Sequence, residues 1–171
     1  MSTDAGDIEI EMAVMEAPLT ASNFIRLAEG GHLDQSGFYR VVRPDNDNGE
    51  PVISVIQGGV QNGPRPFPDI PHETTEQTGL KHLDGTISMA RGAPGSASTE
   101  FFICVGDQPA LDFGNTRNPD GLGFAAFGRV IKGMDVVRAI HSTPAEQLTG
   151  TEYVAGQVLA EPVKINSVRL K

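Results

Sequence analysis

The chain has 171 residues, enough for one domain with a substantial core and too few for two comfortable ones, so residues 1–171 read as a single domain. Its 13 lysines and arginines against 22 aspartates and glutamates leave a formal net charge of −9, which argues against a phosphate-binding surface. No run approaches the ~18 consecutive apolar residues of a membrane span, so neither nucleic acid nor membrane is expected as a partner.

Residues 1–10, MSTDAGDIEI, lack the basic and apolar segments of a secretion signal, and a cytoplasmic location is the expectation. A signal trimmed ahead of the first strand would leave the periplasm or export open. Residues 6–12 alternate polar and apolar, as a half-buried strand does, with Ile8, Ile10 and Met12 inward. Pro18 suits the first turn of a helix, Leu19, Asn23, Phe24, Leu27 and Ala28 keep helical spacing, and Gly30-Gly31 stop it. Such a helix would plug a barrel end.

Residues 38–42 form the next predicted strand. Strict alternation puts Phe38, Arg40 and Val42 on one face and Tyr39 and Val41 on the other. Residues 44–51 are turn chemistry throughout, and residues 52–57 resume as a strand. Residues 60–79, with Pro64, Pro66, Pro68 and Pro71, make a long loop of the kind that is functional or well packed.

The most informative stretch is 85–105, GTISMARGAPGSASTEFFICV. An alternating strand opens it, a continuous apolar strand closes it, and Gly92, Pro94, Gly95 and the small residues 96–99 form a loop between. Two strands holding small residues over an aromatic edge would make a shallow groove for an extended peptide. Cys104 is the only cysteine, so no intrachain disulfide exists. It sits in an apolar run with no basic neighbour and reads as a buried hydrophobe rather than a nucleophile.

Downstream, residues 115–123 are a polar turn and 124–131 a strand. Residues 133–140 read as a short second helix with Val136, Val137 and Ile140 inward, and 143–156 as a loop with weak signals. Residues 163–170 alternate cleanly and are expected to close the sheet against the first strand. Many short strands and two helices fit a mainly β fold, a closed antiparallel barrel without exposed edges.

Several patterns lead nowhere. His72-Glu73-Thr74-Thr75-Glu76 ends in glutamate where a zinc motif needs histidine, and it lies in a proline-rich loop. His32, His82 and His141 are scattered and read as surface or locally satisfied side chains. Neither a dinucleotide fingerprint, a phosphate-binding P-loop nor a G-x-S-x-G elbow occurs. No metal and no cofactor is expected. Arg40, on residue patterns alone, is a surface arginine lying over a strand.

Taken together, Phe38-Tyr39-Arg40-Val41-Val42, Val55-Ile56-Gln57-Gly58-Gly59, Met89-Ala90, Phe101-Phe102-Ile103 and Ala126-Phe127-Gly128 stand in the order of a known set of segments. The chain resembles the cyclophilin family of peptidyl-prolyl isomerases from about residue 6 to 170, and Met89-Ala90-Arg91 resembles its bacterial branch. The resemblance implies a closed eight-stranded antiparallel β-barrel capped by two α-helices. It also implies a monomer that needs no cofactor and assists folding by acting on proline-containing peptides and unfolded or flexible protein segments.

The same resemblance places Arg40 on the family's catalytic arginine and Gln57 on the glutamine that contacts substrate backbone and steadies it. Phe102 and Leu111 fall on the floor and wall of the proline pocket, with Val55 in place of its usual methionine. Ala90 and Arg91 match the segment whose backbone pairs with bound peptide. Four positions depart from the family pattern. Ser54 replaces a pocket phenylalanine, Glu100 a substrate-binding glutamine, Ala110 a rim tryptophan or phenylalanine, and Phe124 a histidine or tyrosine opposite Arg40. Ser54, Glu100 and Phe124 are still expected to bind substrate, with Glu100 either pairing with Arg40 or competing for it. Residues 44–51 would be an insertion beside the groove. Arg40 and Gln57 favour an active isomerase. Ser54, Glu100 and Ala110 leave open a weakly active or inactive module that binds proline-containing segments. A small-molecule-binding barrel has only the fold behind it.

Overall fold

The computed structural model describes residues 1–61, 65–147 and 152–171. In chain order the elements are β1 (Ser2–Thr3), β2 (Gly6–Asp7), β3 (Glu9–Met12), α1 (Pro18–Glu29), β4 (Gly37–Val42), β5 (Val55–Gly59) and α2 (Thr75–Thr78). They continue with β6 (Thr86–Met89), β7 (Glu100–Cys104), β8 (Ala125–Lys132), α3 (Met134–His141), β9 (Ala145–Gln147) and β10 (Val158–Ser167).

The strands pair in the order β2-β1-β10-β4-β5-β7-β6-β8-β3, with β9 beside β10, and every pairing is antiparallel. Because β2 and β3 are one stretch of chain broken only at Ile8, the two ends of this order meet and the sheet rolls into a nearly closed barrel. With β2 and β3 counted as one strand and β9 set aside, eight strands go round among the described residues.

The closure differs from the expected one. The C-terminal strand does not pair with residues 6–12; β10 pairs with β1, Ser2 opposite Ser167 and Thr3 opposite Ile165, and β1 folds back onto β2. The turn between them explains it. Gly6 takes φ 130°, and the Thr3 hydroxyl accepts from Ala5 N at 3.1 Å and donates to Gly6 O at 2.7 Å. A four-residue hairpin therefore reverses the chain before the alternating stretch begins.

Helix α1 plugs the barrel interior. Phe24 meets Phe101 edge-on at 5.3 Å and lies 5.2 Å from Phe127, while Phe38 of β4 meets Phe101 from the other side at 5.7 Å. Ile56, Ile87 and Ile103 complete this core with Val137 and Ile140 of α3. The N-cap of α1 is Ala17, which offers no side-chain acceptor. Glu73 substitutes from a distance, accepting from Leu19 N at 3.2 Å, Thr20 N at 2.7 Å and the Thr20 hydroxyl at 2.6 Å. A carboxylate there satisfies orphan amides and faces the positive end of the helix dipole. Glu73 is held in turn by α2, a short helix that periodicity could not reveal inside the 60–79 loop. Thr74 and Gln77 close it with a reciprocal capping box, and Gly79 ends it at φ 73°.

Strand β4 overturns the alternation expected of it. Phe38 pairs with Gly58 but Arg40 pairs with Gln57, so Tyr39 is an extra residue in a β-bulge. The bulge shifts the phase by one. Phe38 and Val41 both enter the core with α1, while Val42 joins a second, smaller cluster with Ile53, Val55, Phe102, Cys104 and Leu111. Burial pushes the Cys104 thiol well above its ordinary value, which keeps it protonated in that cluster.

Candidate active site

One row of paired residues crosses the sheet: Arg40 on β4 faces Gln57 on β5, Gln57 faces Phe102 on β7, and Phe102 faces Ser88 on β6. The second apolar cluster lies beneath this row. Above it opens a pocket of about 310 Å³ whose lining includes Arg40, Val55, Gln57, Phe102, Leu111 and Phe124. A second pocket of about 480 Å³ shares Gln57, Ala90 and Arg91 with the first and adds Ser98, Thr99 and Glu100. The shared residues make the two one continuous groove.

Arg40 is held on two sides. Its Nη1 donates to Gln57 Oε1 at 2.9 Å, and its Nε and Nη2 both donate to Gln157 Oε1, at 2.9 and 2.6 Å. A guanidinium carries five N–H donors, so one on each of Nη1 and Nη2 is left over from these three bonds. Burial pulls Arg40 below the ordinary arginine value, but an arginine stays charged even then.

Glu100 does not pair with Arg40. The Tyr39 hydroxyl accepts from Gln57 Nε2 at 2.7 Å and donates to Glu100 Oε1 at 2.8 Å. The bulge turns Tyr39 away from the barrel core and sets its hydroxyl between Glu100 and Gln57, two residues of the groove. Burial pushes its phenol up, and the neighbouring Glu100 charge adds to that. Glu100 thus reaches Arg40 only through Tyr39 and Gln57.

The floor is braced from below. His82 stacks on Phe102 at 5.9 Å and 17°, and Phe124 meets Phe102 edge-on at 5.2 Å. His82 Nδ1–H donates to Asp112 Oδ1 at 2.8 Å, leaving Nε2 to accept from the Ser88 hydroxyl at 3.0 Å. The Ser–His–Asp order looks like a nucleophile array, but Ser88 is 0% and His82 1% exposed, so no substrate reaches it. It orients the floor. Burial alone would raise the Asp112 carboxyl; hydrogen bonds from the His82 ring and backbone outweigh it and hold it below its ordinary value.

One further expectation needs correcting: Ser54 does not line the pocket. Ile53, Val55 and Gln57 alternate onto that face, and Ser54 turns the other way, its amide donating to Gln108 Oε1 at 3.0 Å and its hydroxyl 3.1 Å from His141 Nε2. Ala110, which supplies no rim side chain, packs on the edge of the lower cluster, and Arg117, Asn118, Pro119 and Tyr153 complete the pocket lining. The Arg91 side chain is structural as well as groove-lining. It donates to Asp120 at 2.8 and 2.9 Å and to Gly123 O at 2.9 and 2.6 Å. The amide of Ala90 is already spent on Glu100 O at 2.9 Å.

Tyr39, Ile53, Arg117, Tyr153 and Gln157 are therefore site residues that the sequence did not mark. Strict alternation hides the part played by Tyr39, inside one recognised segment, and the motif match hides that of Ile53, two residues before another. Tyr153 and Gln157 come from a loop with no pattern of its own. As for the decoys, His72 Nε2 lies 3.2 Å from Leu122 O and Glu73 caps α1, so the pair is engaged separately.

Comparison with known proteins places this geometry. The family model for cyclophilin-type peptidyl-prolyl cis-trans isomerases matches residues 1–170. A peptidyl-prolyl cis-trans isomerase of Acinetobacter baylyi is 36% identical over 100% of this chain and 84% of its own. One from Streptomyces antibioticus is 34% identical over 99% and 96%, and Escherichia coli isomerase B 34% over 97% and 94%. Among solved structures, a Cryptosporidium parvum cyclophilin-type isomerase crystallised in the presence of the dipeptide Ala-Pro superposes with a TM-score of 0.66 at 20% identity, covering 98% of this chain and 97% of that one.

Proposed function

The chain belongs to the cyclophilin-type peptidyl-prolyl cis-trans isomerases, and from that premise we propose that Arg40 is the group that catalyses rotation about an X-Pro bond held in the 310 Å³ pocket. Resonance gives the peptide bond a rotation barrier of about 18–20 kcal/mol. In the twisted transition state the prolyl nitrogen loses conjugation and regains a lone pair. A donor aimed at that nitrogen binds the twisted form better than either planar form, and this differential binding is catalysis.

The observation that carries the reading is the state of Arg40: fixed by Gln57 and Gln157, charged, and with N–H groups to spare at the edge of an apolar floor. Phe102, Leu111 and Val55 receive the proline ring, and Phe124 stands beside them. Gln57 contributes twice, orienting Arg40 and lining the junction of the two pockets. Glu100, Ala90 and Arg91 line the continuation of the groove, where the rest of an extended chain lies. The C. parvum relative, crystallised in the presence of Ala-Pro, supports a proline-containing peptide as the occupant. One of the three departures that kept a slow binding module open, Ser54, turns away from the pocket, and Ile53 lines it instead.

NMR exchange spectroscopy on an Ala-Pro peptide tests this, because it reads interconversion apart from binding. Arg40→Ala should lower kcat/KM by about 10²-fold, equivalent to about 2.7 kcal/mol of transition-state stabilisation. Exchange at the wild-type rate in a folded Arg40→Ala protein would remove Arg40 from the chemistry.

A further inference from the structure

The turn before β10 reaches the mouth of the pocket. Gln157 ends it, its backbone carbonyl accepting from Val41 N at 2.9 Å and its side chain accepting from Arg40. The next residue, Val158, pairs with Arg40 across the sheet. Four residues before Gln157, on a short 3₁₀ turn at Glu152–Val154, Tyr153 joins the pocket lining. Its ring lies 5.3 Å from the Arg40 guanidinium and 5.7 Å from that of Arg117.

This turn is clamped in place by residues 46–48 of the stretch between β4 and β5. Asn48 Nδ2 donates to Tyr153 O at 3.3 Å and Ala155 O at 2.9 Å, and Asn46 Nδ2 donates to Gly156 O at 3.1 Å. Gln157 Nε2 returns a bond to Asn46 O at 2.8 Å. Arg117 then ties the tip: it forks onto Asp47 at 2.7 and 2.8 Å and donates to the Tyr153 hydroxyl at 3.1 Å. The Asp47 and Arg117 side chains are 0% and 2% exposed, so this is a buried two-bond ion pair, the strong and directional kind.

Building such a clamp around a turn would serve folding alone if Tyr153 were covered. It is instead 51% exposed and lines the same pocket as Phe102 and Phe124. We propose that this turn is part of the site: Tyr153 forms the outer aromatic wall against which the substrate's proline ring packs, and Gln157 is a positioning residue that aims Arg40. The inference rests on the isomerase reading above. It assigns the wall to a residue from the far end of the chain, and it gives Asn46, Asp47 and Asn48 the task of holding that wall.

The test is a titration of the wild type and its variants with the Ala-Pro peptide, followed by exchange spectroscopy at saturation. Tyr153→Ala should weaken peptide binding about fivefold to tenfold, while Tyr153→Phe stays within about twofold because the ring remains. The upfield ring-current shift of the bound proline protons should persist in Tyr153→Phe and shrink in Tyr153→Leu, a readout that mere destabilisation would not move. Gln157→Ala should leave binding near wild type and slow interconversion of bound peptide about tenfold, since a looser Arg40 loses alignment in the transition state. Unchanged affinity and proline shifts in Tyr153→Ala would overturn the wall, and equal losses in binding and rate in Gln157→Ala would overturn the positioning role. Failure of the isomerase reading shows separately, as a wild type that does not exchange or an Arg40→Ala protein that exchanges normally.

Discussion

Tyr39 donates its phenolic hydrogen to Glu100 Oε1 at 2.8 Å. The bond fixes the hydroxyl so that its lone pair faces Gln57 Nε2, and Gln57 in turn presents its Oε1 to Arg40. Glutamine at position 100 can accept the same bond without the charge. Glu100→Gln should therefore keep kcat/KM within about threefold of wild type, whereas Tyr39→Phe should lower it by about tenfold, since Gln57 loses the partner that sets its orientation. Exchange spectroscopy on both variants checks this. A large loss in Glu100→Gln with Tyr39→Phe unaffected would mean that Glu100 acts on the peptide directly.

The His82–Asp112 pair gives the fold an acid-sensitive point. The folded Asp112 carboxyl lies below its ordinary 3.8, so more protons bind in the unfolded chain and the pair stabilises the fold at pH above that value. This contribution is lost as pH falls below 3.8 through the lowered folded value. Asp112→Ala should cost about 1–3 kcal/mol at neutral pH, because the buried His82 ring loses its acceptor. The cost should shrink toward acid. Urea denaturation at pH 7 and pH 3 measures both, and an equal cost at the two values would show that packing rather than the hydrogen bond is responsible.

At α1 the cap comes from a residue more than 50 positions away in sequence. Glu73→Ala should remove about 0.5–2 kcal/mol of stability, with Glu73→Gln costing less because one oxygen can still accept. Amide hydrogen exchange should locate the loss, with faster exchange at Leu19 and Thr20 and unchanged protection in β5 and β7. Uniform loss of protection would argue that Glu73 holds the whole barrel together and not the helix end.

The barrel, α1, α3 and the strands carrying Arg40, Gln57 and Phe102 were all legible, because each rests on a local period or a contiguous motif. What could not be read depends on events outside any window. One bulge at Tyr39 puts Phe38 and Arg40, which strict alternation would set on one face, on different faces, and nothing in Phe-Tyr-Arg-Val-Val announces it. Ser54 was placed in the pocket by matching a motif position, while the phase running back from Gln57 through Val55 selects Ile53. Gln157 is separated from Arg40 by 117 residues, and its loop has neither amphipathic pattern nor motif. Its role is visible only once β10 lies beside β4.

Asn118 and Pro119 line the same pocket as Tyr153, on a polar loop tied at one end by Arg117. Arg91 holds the other end, with a side chain that is 1% exposed and bonds both to Asp120 and to the carbonyl of Gly123. The Arg91 guanidinium and the Leu122 amide bring the Asp120 carboxyl down to about 2, so the fork survives mild acid. Arg91 also lies over the Phe124 ring at 5.3 Å, joining the loop to the pocket edge. Lysine can reach only one of these partners at a time and lacks the planar fork. Arg91→Lys should therefore loosen residues 118–123 while leaving Arg40, Gln57 and Phe102 in place. KM should rise by about fivefold with kcat changed by less than about twofold, the pattern of lost binding that is equal in ground and transition states. Hydrogen exchange at Leu122 N, which donates to Asp120 at 2.8 Å, should quicken in the variant, and the KM effect should persist at pH 4, where Asp120 is still ionised. A fall in kcat with KM unchanged would instead place Arg91 in the catalytic step.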